Sequence, residues 1–515
     1  MNGVGSGMGG RAVAGALLLL LSACSGPQVV VAPPATHGGS PGSPAAAPAA
    51  PLKRTGTLEP AVLSLEMDRQ TIAPGACATA TVTAPAGRSA VELERRSDGG
   101  PWIPWPAGPR DRLSHGRAQL RVCPGWSAQP TLVRAVARGA GPSPAARIEV
   151  APAPWMRAVE RLIDERPVSV SVVVGGAGLY GHLADARRAP ASNEKLLLSM
   201  AALDRLGPGY RIPTEVAIRN RMHDGVVGGN LYLIGHGDPE TGADDIHRLA
   251  VRLREAGLTR VEGSIVGDTS AFVRDREAPG WHPIGLRYIG LPTALSYEAN
   301  VDAGGFVFDP ERRASMALTA DLRSLGVSVA GSPRASSAPA ELRTIAGVRS
   351  ASLGDILRRQ NVASINLAAE TLSKLLATEV LGRPGSIADG AAVIEAWADD
   401  RGADVTLHDA CGLSYRNRAS AGALAALLGQ ARRRPWGGAL AASLAAPGEG
   451  TLAGRLAGIP VRAKTGTLIG DVSALSGYVR LRDGRWASFS ILSRLPKDEA
   501  VSLEDAIVRA VAARG

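Results

Sequence analysis

Three short motifs gather the side chains best suited to chemistry. Ser192-Asn193-Glu194-Lys195 sets a hydroxyl and an amine three residues apart at the start of a helix whose apolar residues Leu196, Leu197, Met200 and Leu203 face a core until Gly207-Pro208-Gly209 stops it. Residues at that spacing share a helix face, so the two side-chain ends can meet. A serine hydroxyl needs a base, and a lysine desolvated beside other positive groups can lose its proton near neutral pH. Free N–H groups and the dipole at a helix N-terminus favour negative charge on the attacking oxygen and on the oxyanion that follows. Alone this motif is weak, since a serine there could be a simple helix cap and the lysine a solvated surface residue.

Two further motifs change the weight. Ser364-Ile365-Asn366 opens a helix running to about Leu381, offering a hydroxyl that can pass protons and an amide that can hold a substrate carbonyl. Lys464-Thr465-Gly466-Thr467 ends a strand begun at Val461, where a lysine and hydroxyls can grip a carboxylate and Gly466 lets a substrate backbone approach. Each motif occurs once, and all three together have a chance probability under about one per cent. Lys53, Lys195, Lys374, Lys464 and Lys497 are the only lysines among 57 basic residues, and two of them fall inside these motifs. A guanidinium stays protonated at any working pH and could not replace a lysine base.

The elements that must position these residues sit in a chain of 515 residues, too long for one ordinary domain. Its formal charge is +10, yet no block of five like charges occurs and no basic stripe is interleaved with stacking aromatics, which argues against nucleic-acid binding. Arg11, the apolar run Ala12 to Leu21 and the small residues before Cys24 have the three parts of an export signal, and the run is too short to span a membrane. The ending Leu21-Ser22-Ala23-Cys24 resembles a bacterial lipobox, which implies lipid on Cys24 after removal of residues 1–23; the alternative is a plain signal peptide cut near a chance cysteine. Residues 24–56, rich in Pro, Ala and Gly, read as a tether that could reach roughly 90 Å. In an exported protein disulfides persist, and Cys77 with Cys123 in one β-rich region are the natural pair, leaving Cys411 alone, although other pairings remain open.

From 57 to 151 short alternating runs (Ala61 to Leu65, Thr79 to Val82, Ala90 to Leu93, Ala118 to Val122, Leu132 to Val136) separated by Pro/Gly turns read as a small all-β sandwich-like domain. Trp102, Trp105 and Trp126 are its candidate core or rim residues, or else a sugar-binding face. From 152 to 515 the pattern mixes a helix (Trp155 to Glu165), a strand (Val168 to Val174), the serine helix, mixed elements over about 209–345, a helix-rich block, a hairpin turning at Asp483-Gly484 and a terminal helix from about Glu499.

The ordered trio resembles the active-site serine penicillin-binding enzymes. Within them the chain looks most like the class C low-molecular-mass D-alanyl-D-alanine carboxypeptidase/endopeptidase group, through Gly229 to Leu233 with Gly237-Asp238-Pro239, Pro279-Gly280-Trp281, Ala294-Leu295-Ser296, Ala369 to Leu372, Gly412-Leu413-Ser414 and Ser473 to Tyr478. The resemblance covers about 155–515. It implies a multidomain protein with an α/β (α+β) serine β-lactamase/transpeptidase-like catalytic domain carrying an inserted α/β subdomain. It also implies no cofactor, a substrate in peptidoglycan stem peptides, β-lactams as inhibitors, and a place outside the cell membrane, held there by the lipid. Carried over, Ser192 is the acylated nucleophile, Lys195 its base, and Ser364 with Asn366 the second catalytic element. Lys464 and Thr465 would hold the substrate's terminal carboxylate, with the N–H groups of Ser192 and Thr467 as the oxyanion hole. Three features depart from the group: Ile365 replaces a polar residue, Cys411 stands where serine is usual, and the insertion is shorter.

Other residues carry less. His236 and Asp238 lack a third metal ligand at turn or helix spacing. His408-Asp409 suggests a triad with Ser192, but Lys195 already supplies a base. Glu370 and Lys374, at i and i+4, read as an ordinary helix pair. A β-lactamase of class A would need a positioned glutamate and a much shorter gap before Ser-x-Asn. A silent cell-wall binder would not need complete motifs.

Overall fold

The computed structural model describes residues 62–514 apart from 74–75, 86–89, 98–99, 106–110, 125–129 and 176–178. The export segment, Cys24, the tether and Trp126 lie outside the described residues. Among those described, no helix is long and apolar enough to cross a membrane.

Residues 62–150 form two β-sheets. Strands Ser64–Met67, Ala78–Thr83 and Arg117–Val122 make one, with buried positions alternating along Ala78–Thr83 and Arg117–Val122 as a half-buried strand requires. The other runs Thr71–Ile72, Ala146–Val150, Thr131–Val136, Ala90–Ser97, Ile103–Pro104, and Asp111–Arg112 also pairs with Ala90–Ser97. Ala80, Val82, Val91, Leu120, Val133 and Ile148 meet in the core between them. Thr71–Ile72, Ile103–Pro104 and Asp111–Arg112 are two-residue strands, too short for alternation to reveal in sequence. Trp105 packs against the core, whereas Trp102 lies between the guanidinium groups of Arg96 and Arg134, at 4.9 and 4.2 Å from its ring centre. Ala78 pairs with Val122, and Cys77 and Cys123 at the next position are bridged across the two strands.

The part that follows, from residue 154 on, is built on a five-stranded antiparallel sheet ordered Tyr180–His182, Val170–Val174, Trp486–Arg494, Val472–Arg480, Val461–Leu468. Its strands come from the two ends of this part, so long-range pairing must close it. Val170, Val172 and Val174 face the helices Pro154–Ile163 and Lys497–Arg514, packing with Val159, Phe489 and Ile507. Val173 points the other way, into a core shared with Leu196, Leu197, Leu428, Tyr478 and Leu492. The strand read from Val461 to Lys464 runs on through the whole lysine motif. It continues to Leu468, because its antiparallel register with Val472–Arg480 holds through the pair Leu468 and Val472.

The inserted region forms a mixed sheet, Arg334–Ser336, Ile265–Asp268, Leu231–Gly235, Pro213–Ile218, Arg343–Arg349, covered by helices Ala243–Glu255 and Pro310–Ser324. Its last strand runs beyond 345 because it pairs along Pro213–Ile218. Lys374 ties this region to the catalytic helices: buried completely, it forms an ion pair with Asp275 and donates to the carbonyls of Val273 (2.9 Å) and Pro292 (3.0 Å). Its partner is therefore Asp275 and not Glu370, and the surface helix pair expected from i and i+4 spacing does not form.

The Cys77–Cys123 bridge closes a loop with a sequence separation of 46. Replacing both cysteines with serine is expected to lower the stability of the 62–150 region by about 4 kcal/mol, through the loop-closure entropy regained by the unfolded chain. Hydrogen exchange in strands Ala78–Thr83 and Arg117–Val122 reads the loss; unchanged protection would contradict it.

Candidate active site

Ser192 does not cap an α-helix. It lies in a 3₁₀ turn, Ala191–Asn193, and the α-helix begins at Glu194 and runs to Leu206, where Gly207 at φ 80° ends it. Ala191 holds φ 47°, a left-handed conformation uncommon outside glycine. Two glycines let other backbone close on this turn. A Cβ on Gly412 would lie 2.0 Å from the Ala191 carbonyl oxygen, and one on Gly466 would lie 2.9 Å from that of Pro190 and 3.0 Å from the Ser192 nitrogen. Gly466 therefore admits the serine turn itself against the lysine strand, a closer neighbour than the substrate backbone expected there. The buried Asn193 amide links the same turn to Ser476 on the adjoining strand.

Lys195 is wholly buried, and its Nζ meets three acceptors: Ser192 Oγ at 3.1 Å, Asn366 Oδ1 at 2.8 Å and the Cys411 carbonyl at 2.5 Å. As a free amine it would donate to two and turn its lone pair to the third. Asn366 and Cys411 can only accept at these atoms, so the lone pair falls to the Ser192 hydroxyl, the arrangement of a base facing a nucleophile. Asn366 also donates from Nδ2 to the Tyr288 carbonyl at 3.1 Å, which fixes the orientation of its amide.

Lys464, also wholly buried, donates to Ser364 Oγ at 2.9 Å and to the Thr465 carbonyl at 2.8 Å. Ser364 stands at φ 58° between two helices, Leu353–Ala363 and Asn366–Leu381, a left-handed position that turns its hydroxyl towards the lysine strand. The ammonium expected to grip a carboxylate is thus engaged with a serine, and a cavity of about 470 Å³ over the site is lined by Ser192, Ser364, Asn366 and Thr467 without Lys464 or Thr465. His282, Tyr288, Leu413 and Tyr415 form further parts of its wall.

Burial drives both lysines towards the neutral form. It holds Lys464 well below the usual lysine range, and the charge of Lys195 pushes the same way. Lys195 is also lowered by burial, but Asp409, Glu370 and Glu194 oppose the fall. These carboxyl groups lie behind Lys195, beyond what the motifs revealed. Asp409 is a staple for its loop, accepting from Trp281 Nε1 (2.6 Å), Gly412 N (3.0 Å), Ser414 N (2.8 Å) and Asn417 Nδ2 (2.7 Å). That use of Asp409 removes it from a triad with Ser192, and it also leaves neither oxygen free for a cation shared with Glu370 and Cys411, whose ligand atoms lie within 4.8 Å of one another. Burial pushes Glu194 and the Cys411 thiol well up. Cys411 is a free, buried thiol. His236 pairs with Glu215 at 3.1 Å, and Asp238 accepts from the Glu240 N–H at 3.0 Å, a loop role with no part in this site.

The D-Ala-D-Ala carboxypeptidase 3 (S13) family matches residues 160–306 and 296–514. A D-alanyl-D-alanine carboxypeptidase of Actinomadura sp. (strain R39) is 28% identical over 355 residues, 53% of this chain and 66% of that protein. A carboxypeptidase of Mycobacterium tuberculosis (strain ATCC 25618 / H37Rv) is 32% identical over 276 residues, 49% of this chain and 57% of its own. The chain thus spans less than two thirds of the length of these relatives. The crystal structure of penicillin binding protein 4 from Haemophilus influenzae matches with TM-score 0.60 at 20% identity, over 67% of this chain and 97% of that one, which shows the fold. A second structure of that protein, complexed with a β-lactam, matches with TM-score 0.56 at 20% identity, over 69% and 99%.

The contact at Gly466 makes a prediction independent of activity. Gly466→Ala is expected to destabilise the protein by about 1–3 kcal/mol, because the new methyl must push the serine turn off the lysine strand. Urea unfolding measures it, and an unshifted midpoint would show that the turn can yield freely.

Proposed function

The chain belongs to the D-Ala-D-Ala carboxypeptidase 3 (S13) family, and on that premise we propose that it is a serine-type D-alanyl-D-alanine carboxypeptidase acting on peptidoglycan stem peptides through an acyl-enzyme at Ser192. The observation that carries this reading is the pairing of each hydroxyl with its own buried lysine, Ser192 with Lys195 at 3.1 Å and Ser364 with Lys464 at 2.9 Å.

Lys195 takes the Ser192 proton as Oγ attacks the carbonyl of the penultimate D-alanine. The N–H groups of Ser192 and Thr467 receive the oxyanion. Asn366 aligns the peptide while keeping Lys195 in place. Ser364, held by Lys464, delivers a proton to the leaving amine, and Lys464 with the hydroxyls of Thr465 and Thr467 receives the terminal carboxylate. Gly466 keeps the strand carrying them against the nucleophile. Water then hydrolyses the acyl-enzyme. The same cavity suits the cleavage of a peptide cross-link, in which a second stem peptide leaves in place of D-alanine. A β-lactam, whose strained amide and carboxylate imitate D-alanyl-D-alanine, should acylate the same serine. We propose further that the protein is exported and lipid-anchored through Cys24, with its tether holding the enzyme towards the cell wall.

A labelled penicillin is expected to acylate Ser192 and not the Ser192→Ala variant, and purified pentapeptide should release D-alanine. Lys195→Arg should acylate at least about a thousandfold more slowly, since guanidinium cannot act as the base. Rapid turnover of the penicilloyl adduct would instead mark a β-lactamase, and acylation of Ser192→Ala would remove the nucleophile assignment.

Cys24→Ala should leave the membrane fraction, because residues 24–56 contain no apolar stretch able to replace a lipid. A variant that still sediments with membranes would count against the anchor.

A further inference from the structure

The helix Asn366–Leu381 carries Asn366, Glu370 and Lys374 at successive i+4 positions, and the last two are wholly buried. Asn366 holds Lys195 directly. Glu370 holds it at one remove: its Oε1 accepts from the N–H of Ala410 at 2.8 Å and of Cys411 at 2.7 Å. The carbonyl of that same Cys411 accepts from Lys195 Nζ at 2.5 Å and lies 3.4 Å from Ser192 Oγ. Loss of the carboxyl would release the N–H side of Cys411 and with it the acceptor that seats the lysine. Glu370 Oε2 is buried with no hydrogen-bond partner, so a negative charge here is supported at one oxygen only.

The groups facing Glu370 are Glu194 and Lys195 from the serine helix, Asp409 and Cys411 from the loop, and Lys374 from its own helix, the last already paired with Asp275. Lys464, on the lysine strand, faces Lys195 from the far side. Burial pushes Glu194 and the Cys411 thiol towards their neutral forms, and Asp409 is held by the N–H groups of Trp281, Gly412, Ser414 and Asn417. Burial and Asp409 push Glu370 up to about 7, within the working pH range, while burial lowers Lys195 towards its amine form.

We infer that Glu370 is the positioning residue of the base: it fixes the Cys411 carbonyl against Lys195, and its own charge governs how much of Lys195 stands as free amine. The inference rests on the reading of Ser192 and Lys195 as nucleophile and base. An anionic Glu370 favours the ammonium form, whereas a neutral one favours the amine. For a fixed number of protons on the pair, the state competent to attack has the proton on the carboxyl and the lone pair on Lys195.

The test is the rate of Ser192 acylation by labelled penicillin across pH, in the full chain and in Glu370→Gln and Glu370→Ala. Glutamine keeps an acceptor for both N–H groups but cannot become an anion, so the acid limb of the profile should move down by about 1 pH unit. Alanine removes the acceptor, and the rate should fall about 100-fold at every pH in protein that still melts cooperatively. A glutamine profile lying on the parent's, or an alanine variant acylated at the parent's rate, overturns the inference. If the glutamine variant does not fold, the reciprocal measurement decides: Lys195→Met removes the ammonium and must raise the infrared titration of a buried carboxyl, and a titration unchanged from the parent overturns the inference. A parent that is never acylated refutes the carboxypeptidase reading instead, and leaves the infrared comparison to judge Glu370.

Discussion

Two lysine side chains lie wholly out of water on neighbouring elements of one site, and the electrostatics of the whole catalytic half follow from that fact. An ammonium taken from water into a protein interior loses several kcal/mol of hydration, and a second one beside it adds repulsion. Neither lysine is left bare. Lys195 has three oxygen acceptors, and Lys464 has a hydroxyl and a carbonyl. The two cages differ in one respect: carboxyl groups stand behind Lys195 and oppose the fall in its basicity, whereas Lys464 has only burial and its neighbour's charge acting on it, both in the same direction.

Meeting the constraint requires backbone to come unusually close. The serine turn sits between Gly412 and Gly466, and any side chain at either position would strike its carbonyls or the Ser192 nitrogen. The closely packed turn brings Ser192 to the mouth of the cavity while Lys195, one turn later, is sealed beneath it. The sheet that carries Gly466 is completed by strands from both ends of the catalytic part, and the loop that carries Gly412 is locked by Asp409 and by Trp281. The site therefore exists only when segments far apart in sequence have met, and long-range pairing of that kind slows folding.

How much of this could be read from sequence depended on how local the signal was. Ser192, Lys195, Ser364, Asn366 and Lys464 sit in compact motifs with a chemical reason for their spacing, and alternation exposed strands such as Ala78–Thr83 and Arg117–Val122. The bridge from Cys77 to Cys123 joins the ends of two strands whose alternating runs were already visible, although their pairing was not. The acidic residues behind Lys195 were hidden, because Glu194, Glu370 and Asp409 look like ordinary solvent-facing charges until tertiary packing buries them. For Glu370 one signal was present: it lies one turn beyond Asn366 on a helix whose other positions are largely apolar, so a polar stripe at i, i+4 and i+8 had no solvent face to occupy. The lysine motif was legible by type, but its contact with Ser364 was not, because strand direction and burial set where its side chain goes.

Cys411 shows why side-chain identity can be the wrong thing to compare at such a site. It departs from the serine that the family resemblance leads one to expect, and a thiol beside a lysine invites thoughts of a second nucleophile. Its side chain is buried among carboxyl groups that keep it protonated, and its Sγ lies 3.7 Å from Asp409 Oδ2. A thiol in such acidic, enclosed surroundings is chemically quiet, since the thiolate is the reactive form. What the site uses from residue 411 is its backbone: the N–H that Glu370 holds and the carbonyl that Lys195 meets. Any small side chain that fits the same buried space can present these two groups equally well. The stringent requirement falls on the neighbours that set the backbone's path, Asp409 with its four N–H donors, Gly412 at φ 83° against the serine turn, and Glu370 beneath both N–H groups.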